Sequence, residues 1–369
     1  MASASVIDVS RRPECRPAHV TSRDVAAAAG VSQSAVSRCF TPGASVAPQT
    51  RERVMKVAAD LGYRPNLHAR TLSTGRTRII GVVLAHLDNL FYPRFLQLLT
   101  ERLQAEGMQL LLFVADGRQG NLLEQLLQYR VDGIVLAATT LHSELAKACA
   151  QAGIPVVLFN RVADTQDSGF HSVQTNQAEG ARQLTRFLLD NDHRRIAYLA
   201  GSQDASTNQA REQGCRQALA EGRRRLFAYG EGDYRADRAQ GVVRGWYVGD
   251  DGARRPVSDC PDAIVVADDQ MALAVMDTLR HELGLQVPEQ VSVVGFDDVP
   301  QAAWAAYQLT TYTQPLPEMI ESVLQLLTAQ LKAQSADAKR KPRGKAVVLT
   351  GQLQIRQSAR QRSTTRPRR

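Results

Sequence analysis

Short apolar segments alternate with amphipathic segments through most of this 369-residue chain. Between residues 79 and 160 the apolar runs are IIGVVLA, MQLLLFV, VDGIVLA and IPVVLFN, and the segments between them carry apolar residues at helical spacing. Strands that are apolar throughout and alternate with helices are typical of parallel sheets covered by helices on both faces. The pattern therefore predicts an α/β fold from about residue 77 onward.

The alternation restarts after residue 175. We predict strands in RRIAYLA, LFAY, DAIVVA and VSVVGF, and helices over 176–190, 207–221, 235–244 and 269–283. A further helix fits Pro317 to Ala333, and a last strand fits Ala346 to Ile355. Two α/β halves of similar size predict a body of two lobes with a cleft between them.

The first 76 residues contain a different pattern. Residues 24–29 have the composition of a short helix, and Gly30 permits the tight turn that follows. Gln33 to Phe40 then fits a second helix, and Pro48 to Leu61 fits a third. Two short helices joined by a glycine turn are typical of the helix-turn-helix, which docks on DNA.

Three blocks follow one another in this segment, namely xDVAxxAGVSxxxVSR, VxxxTRExV and LGYRPNxxARxL. Together they resemble the LacI/GalR family of bacterial transcription regulators, and the resemblance covers residues 19 to about 357. It implies an N-terminal all-α helix-turn-helix domain plus an α/β two-lobed periplasmic-binding-protein-like effector domain. The implied crossovers between the lobes lie near residues 160–165, 295–300 and 308–315.

The predicted organisation has five parts. They are a disordered arm (1–18), a helix-turn-helix DNA-binding domain (19–65), a hinge helix with its linker (66–76), a two-lobed effector-binding and dimerisation domain (77–357) and a basic disordered tail (358–369). The net charge of +8 is divided unevenly, because residues 20–76 carry +5 and residues 77–338 carry −9. A basic module on an acidic body is expected if only that module faces phosphates. The 11 Lys and Arg of residues 339–369 either add DNA affinity or are simply solvated.

The second helix of the helix-turn-helix is the predicted reader of DNA sequence. Its N-terminal half enters the major groove, so base readout is assigned to Gln33, Ser34 and Arg38. Phosphate contacts position a protein without specifying sequence, and they are assigned to Ser22, Ser32, Ser37 and Arg51. The alternative for Arg38 is a solvated surface charge.

By the same resemblance, the hinge segment enters the minor groove. The residues concerned are Asn66, Arg70 and Leu72, and Leu72 would wedge open the central base step together with its dimer mate. The alternative for Leu72 is a linker leucine packed on the core. One monomer presents one half-site, so the predicted partner is a palindromic double-stranded operator bound by a homodimer.

Polar and aromatic residues follow several predicted strands, where open α/β sheets bind ligands. Asp88 to Tyr92 follows the first strand, and Asn160-Arg161 follows VVLF. The candidate effector-binding residues are Phe91, Asn160, Arg211, Tyr234, Asp268 and Asp297, and all but Asn160 match effector-contact positions of the family. Carboxylates, an arginine and aromatic rings suit a sugar or sugar derivative. Many family members have Asn in place of Asp268, and sugar-binding members often have an acid in place of Asn160, so an acid or a nucleoside stays open.

Other functional classes have little support in the sequence. It contains no GxSxG, HExxH or phosphate-cradling glycine loop, so we expect no catalytic residue, no metal and no cofactor. Five scattered cysteines predict free buried thiols, and the lack of a signal or membrane span predicts a location in the bacterial cytoplasm. The predicted function is a transcriptional repressor switched by a small-molecule effector, with an effector-dependent activator as the alternative.

Overall fold

The computed structural model describes residues 20–41, 43–64, 76–85, 87–115, 122–137, 142–161, 170–335 and 344–362. The chain divides after Thr77 into two compact units, and each is described by itself below. The predicted arm at 1–18 and the hinge residues Asn66, Arg70 and Leu72 lie outside the described residues.

Unit 1 is a three-helix domain that contains the predicted helix-turn-helix. Its helices are α1 (Ser22–Ala29), α2 (Gln33–Cys39) and α3 (Pro48–Asp60). Gly30 ends α1 with a φ of 64°, which glycine adopts at little cost, and the Ser32 side chain accepts from Ala35 N at 3.2 Å to begin α2. The apolar faces of the three helices meet at Val25, Val36 and Val54, each fully buried.

The first lobe of unit 2 is built on six strands: β1 (Ile79–Leu84), β2 (Gln109–Val114), β3 (Gly133–Ala137), β4 (Val156–Phe159), β5 (His171–Thr175) and β11 (Ala346–Leu349). They form one parallel sheet in the order β11-β5-β4-β3-β1-β2. The connecting helices are α4 (Phe91–Ala105), α5 (Leu122–Gln128) and α6 (His142–Gln151), and α11 (Leu316–Ser335) packs against β3, β4, β5 and α4.

The second lobe repeats the α/β alternation on a smaller sheet. Its elements are α7 (Gln177–Asp190), β6 (Ile196–Ala200), α8 (Ser206–Glu221), β7 (Ala228–Glu231), α9 (Ala236–Tyr247), β8 (Ala263–Val266), α10 (Asp269–Asp277) and β9 (Ser292–Val294). The sheet is parallel in the order β7-β6-β8-β9. An antiparallel pair, β10 (Thr311–Thr313) and β12 (Gln352–Gln354), lies beside β9. The predicted helix 269–283 continues beyond α10 as a π-helical turn, Thr278–Glu282.

The chain crosses between the lobes after β5, after β10 and after β11, within the described residues. The crossovers predicted near 160–165 and 295–300 are therefore wrong, and only the one at 308–315 lies close to an observed crossing. Residues 171–175 still belong to the first sheet, where β5 pairs with β4. Residues 295–300 stay in the second lobe, because Asp297 N donates to Tyr312 O at 2.9 Å.

The third crossing divides the strand predicted from Ala346 to Ile355. Its first half is β11 in one lobe and its second half is β12 in the other. Gly351 marks the break, since a Cβ there would lie 1.9 Å from the carbonyl oxygen of Thr313. Only glycine permits the backbone to pass this closely.

The predicted disordered tail at 358–369 is wrong for its first residues. Ser358 is fully buried, donates to Val293 O at 2.6 Å and accepts from Thr310 N at 2.7 Å. Arg360 N donates to Ser292 Oγ at 2.9 Å.

Four of the five cysteines are free and buried as predicted, and Cys15 lies outside the described residues. No helix in the described ranges has the length and apolarity needed to cross a membrane.

Candidate DNA-binding face and effector cleft

The three predicted base-reading residues lie on one exposed helix. Gln33, Ser34 and Arg38 of α2 are all exposed to solvent. Gln33 Nε2 donates to Ser22 Oγ at 2.9 Å, and Arg38 Nε donates to the backbone oxygen of Ser34 at 3.4 Å. The first bond joins α2 to α1, the second lies within α2, and all three side chains remain exposed. The face can therefore present amide and guanidinium donors to base edges.

The predicted phosphate-contacting residues differ in the hydrogen bonds that they already make within the domain. Ser37 is exposed, and Ser32 serves as the cap of α2 while its hydroxyl lies 2.9 Å from that of Ser34. Arg51 donates from Nη1 to Cys39 O at 2.6 Å and from Nη2 to Ala44 O at 2.9 Å. Arg51 thus secures the connection between α2 and α3, a structural role that the sequence pattern did not predict.

A cavity of about 620 Å³, including its open mouth, lies between the two lobes of unit 2. The structure brings all six predicted effector residues to its lining, namely Phe91, Asn160, Arg211, Tyr234, Asp268 and Asp297. Further lining residues are Asn89, Tyr92, Arg161, Ser202, Ala205 and Thr207. The cavity therefore combines amides, hydroxyls, two carboxylates, two guanidinium groups and aromatic rings.

Five of the six predicted lining residues converge because each follows a parallel strand, and Arg211 lies in the helix α8 that follows β6. The first lobe supplies Phe91 after β1 and Asn160 after β4, whereas the second supplies Tyr234, Asp268 and Asp297 after β7, β8 and β9. The carboxyl ends of parallel strands meet at one edge of a sheet, so the two sheet edges face each other across the cleft. Asn160, Tyr234 and Asp297 have φ values of 51°, 57° and 120°. Non-glycine residues with positive φ are uncommon and concentrate at functional sites.

Arg211 is the most constrained polar residue of the cavity. Its Nε donates to Gln177 Oε1 at 2.7 Å, its Nη2 donates to Asp297 Oδ1 at 3.2 Å, and its Nη1 donates to the carbonyl of Ala267. The guanidinium carbon lies 3.8 Å above the centroid of the Phe296 ring. The same Asp297 oxygen accepts from Gln314 Nε2 at 2.6 Å. These contacts fix the Arg211–Asp297 pair in place before any ligand binds.

Besides the bond from Gln177 Nε2 to Asn160 Oδ1 at 2.8 Å, two hydrogen bonds join the lobes at the edge of the cavity. Asn89 Nδ2 donates to Asp268 Oδ2 at 2.9 Å, and Leu90 N donates to Gln270 Oε1 at 3.0 Å. Asp268 also caps α10, because its Oδ1 accepts from Met271 N at 2.9 Å. Asp268 therefore belongs both to the cavity lining and to the contact between the lobes.

The two carboxyl groups of the cavity have pKa values above the ordinary value for aspartate. Burial raises the pKa of Asp268 to about 7, and the nearby Asp297 carboxylate adds to this rise. Burial also raises the pKa of Asp297, although the Arg211 charge opposes the change. Near neutral pH, Asp268 can therefore act as a hydrogen-bond donor as well as an acceptor.

The candidate residues omit part of the lining. Asn89, Tyr92 and Arg161 belong to the segments Asp88–Tyr92 and Asn160–Arg161, which the sequence places after predicted strands, but they are not among the candidates. Gln177 and Gln314, which orient Asn160, Arg211 and Asp297, carry no signal in the sequence because glutamine is common on helix and loop surfaces. They are identified only by the contacts they make.

The sequence matches two family models, one after the other. Residues 21–66 match the model of the bacterial regulatory proteins of the lacI family, and residues 185–359 match the periplasmic binding protein-like domain. The chain is 33% identical over 350 residues to the HTH-type transcriptional regulator CelR of Thermobifida fusca, which covers 90% of this chain and 96% of that protein. The chain belongs to the lacI family of bacterial regulatory proteins.

Other relatives agree with this assignment. The HTH-type transcriptional repressor PurR of Vibrio vulnificus (strain CMCP6) is 30% identical over 328 residues, covering 86% of this LacI-family chain and 93% of the relative. Catabolite control protein A of Priestia megaterium is 29% identical over 346 residues, covering 92% and 99% of the two chains. These relatives are named as regulators and not as enzymes. The chain is thus a DNA-binding transcription regulator with a helix-turn-helix domain.

Two solved structures of LacI-family regulators resemble the fold over most of its length. The lac repressor dimer bound to operator and the anti-inducer ONPF has a TM-score of 0.78 at 25% identity, covering 92% of this chain and 98% of that one. The complex of the regulator CelR with cellobiose has a TM-score of 0.67 at 29% identity, covering 92% and 100%. The predicted fold class, a helix-turn-helix domain followed by a periplasmic-binding-protein-like body, is confirmed.

Proposed function

We propose that this LacI-family chain is a repressor that binds a palindromic operator as a homodimer and changes its operator affinity when a sugar or sugar derivative binds between its lobes. The observation that carries the proposal is the cavity. Six residues chosen from strand ends, separated by up to 206 positions in sequence from Phe91 to Asp297, line one space between two lobes. A ligand held by both lobes would set the angle between them.

The lining chemistry supports a polyhydroxylated effector. Asn89 and Asn160 can both donate and accept, Arg211 donates, and the two carboxylates accept from hydroxyl groups. The rings of Phe91 and Tyr234 can cover apolar C–H faces. The related regulator CelR is known in complex with cellobiose, which favours a sugar over a nucleoside for this chain as well.

For the DNA-binding unit, we assign base readout to Gln33, Ser34 and Arg38 and phosphate contacts to Ser22, Ser32, Ser37 and Arg51. The exposure of the first three on α2 supports this assignment. We assign Asn66, Arg70 and Leu72 to the minor groove. The related lac repressor binds operator as a dimer, which supports a dimer here too.

The coupling between the sites requires only a modest free energy. A ligand that binds one interlobe angle better than another shifts the population of that angle. A coupling free energy of about 1–3 kcal/mol changes operator affinity roughly 5- to 150-fold. An effector of this strength would switch occupancy of the operator.

The first experiment tests DNA recognition. A palindrome selected from random duplexes by the full chain is titrated at fixed salt, with Gln33→Ala and Arg38→Ala compared against Gln49→Ala and Arg53→Ala, which change exposed residues of α3. We expect each α2 variant to lose about 5- to 150-fold in affinity, since a good base contact contributes roughly 1–3 kcal/mol. Equal affinity of the wild type for the palindrome and for random DNA would rule out sequence-specific regulation.

The second experiment tests the switch. Sugars, sugar acids and nucleosides are screened by thermal shift of the full chain, and each ligand that binds is added to the operator titration. We expect at least one ligand to change operator affinity severalfold or more in either direction. A ligand that occupies the cleft but never alters DNA affinity would contradict the proposed coupling.

A further inference from the structure

Arg161 lines the cavity but lacks the partners that Arg211 has. It follows Asn160 at the end of β4, in the first lobe. Among the described residues, no hydrogen bond or ion pair engages its guanidinium group. Burial lowers the pKa of Arg161, and only the phenols of Tyr92 and Tyr234 oppose this effect electrostatically. A cationic group that is largely removed from water needs an anion or strong acceptors nearby.

The two carboxylates of the cavity are already engaged elsewhere. Asp297 pairs with Arg211 and accepts from Gln314. Asp268 accepts from Met271 N and from Asn89. Its pKa of about 7 also leaves it with only part of a negative charge near neutral pH. Among the described residues, the cavity therefore holds one positive charge, that of Arg161, without a dedicated counter-charge.

Two tyrosines line the same cavity as Arg161, and both act electrostatically on its guanidinium group. Tyr92 is buried, and no other described residue shares a hydrogen bond with its hydroxyl. The Tyr234 hydroxyl lies 3.5 Å from Thr207 Oγ1, at the outer limit of a hydrogen bond. A phenol can donate to an anion, and hydrogen bonds to ionised acceptors are the strong ones. Arg161, Tyr92 and Tyr234 thus form a donor cluster, with residues from both lobes.

We propose that the effector is a hydroxylated molecule with one anionic group, a carboxylate or a phosphate, and that this group binds the donor cluster of Arg161, Tyr92 and Tyr234. The inference rests on the proposed function, because it presupposes an effector in this cleft. The remaining amides and hydroxyls of the cavity bind the neutral hydroxyl groups of the same molecule. Since Arg161 and Tyr92 lie in the first lobe and Tyr234 in the second, the anionic group also draws the lobes together.

The test compares acidic sugars with their neutral parents on the full chain. Isothermal titration is carried out with glucose, galactose and ribose, with glucuronate and galacturonate, and with glucose 6-phosphate and ribose 5-phosphate. We expect at least one acidic sugar to bind tenfold or more tightly than its parent, and the carboxylate and phosphate arms identify which anion fits.

Three variants connect that preference to Arg161. We expect Arg161→Gln to abolish it and Arg161→Lys, which retains the charge, to keep most of it. Arg216→Gln, which removes an exposed arginine of α8, should leave it unchanged. Operator binding without ligand provides the check that each variant is folded.

The inference is overturned if no acidic sugar binds, if the neutral parent binds as tightly, or if the preference survives Arg161→Gln. The outcome for the proposed function is separate. A neutral sugar that switches operator affinity would support the repressor and refute the anionic effector. An acidic sugar that binds through Arg161 without changing operator affinity would support the anionic effector and refute the proposed switch.

Discussion

The protonation of Asp268 should make the stability of unit 2 depend on pH, and replacing Asp268 with asparagine should remove this contribution. The carboxyl group is only 1% exposed, and burial raises its pKa from the ordinary 3.8 to about 7. Because the folded state holds the proton more tightly than the unfolded chain, the stabilising contribution of this group is complete below pH 3.8 and is lost as the pH rises to about 7. A rise of this size corresponds to roughly 4 kcal/mol in total.

The experimental window is the upper part of that range. Between pH 5 and pH 8 the contribution of Asp268 should fall by roughly 2 to 3 kcal/mol in wild type, and Asp268→Asn should lack this change, whereas the buried Asp269 and Asp297, whose pKa values are also raised, contribute in both proteins. Asparagine is a good helix cap, so the bond from Met271 N can persist. The bond from Asn89 is lost unless the Asn89 amide rotates, which would sacrifice its bond from Phe91 N, and this cost is the same at every pH.

Urea unfolding followed by tryptophan fluorescence isolates the relevant unit. The only two tryptophans of the sequence, Trp246 and Trp304, both lie in unit 2. Unfolding free energies of wild type and Asp268→Asn are compared at pH 5, 6.5 and 8. The reasoning is refuted if the difference between the two proteins stays constant across this range.

Three further substitutions have defined consequences. Arg211→Met leaves Asp297 buried without its counter-charge, so we expect the free energy of unfolding in urea to fall by about 3–5 kcal/mol at pH 8. The loss should be smaller at pH 5, because Asp297 can take a proton there. Equal losses at both pH values would contradict this. Gly180→Ala places a Cβ 2.6 Å from a buried tyrosine ring and should cost about 1–3 kcal/mol, whereas Gly241→Ala, with no atom within 4 Å, should be neutral or stabilising by thermal melting. Leu72→Ala should weaken operator binding strongly in the DNA titration while ligand binding is unchanged, and undiminished operator affinity would exclude the wedge.

The sequence predicted the fold well where a strand is apolar and poorly where it is polar. The runs at β1, β2, β3, β4, β6, β8 and β9 are apolar, and each prediction is confirmed. The strand β5, with the sequence HSVQT, was missed, although His171, Ser172 and Thr175 are all buried. Two of its polar side chains have partners distant in sequence, namely Gln314 for Thr175 and the Lys345 N–H for His171, whereas Ser172 Oγ and Gln174 Oε1 are buried with no hydrogen-bond partner among the described residues. Single-sequence periodicity carries no record of such partners, and the misplaced first crossover followed from this omission.

The site was more predictable than the crossovers because a general rule applies to it. The carboxyl ends of parallel strands gather at one sheet edge, so residues such as Phe91 and Asp297 could be named before their contacts were known. The rule does not predict which charged side chains of the cavity have a partner of opposite charge. That Arg211 is paired while Arg161 is not depends on the three-dimensional placement of Gln177 and Asp297. The sequence therefore predicted which residues line the cavity, whereas the inferred ligand chemistry depends on contacts that only the three-dimensional structure gives.

Because the chain crosses between the lobes after β11, one short segment contacts the sheets of both lobes. Residues 346–349 form the edge strand of the first sheet, next to β5, and Ser358 ties the following residues to β9 of the second. A ribosome produces β5 long before it produces either contact. Until then β5 is an open sheet edge, and open edges invite pairing with other chains. Nascent molecules crowded on one message would thus be exposed to misassembly until β11 emerges, and a chaperone that covers the β5 edge would protect them during that interval.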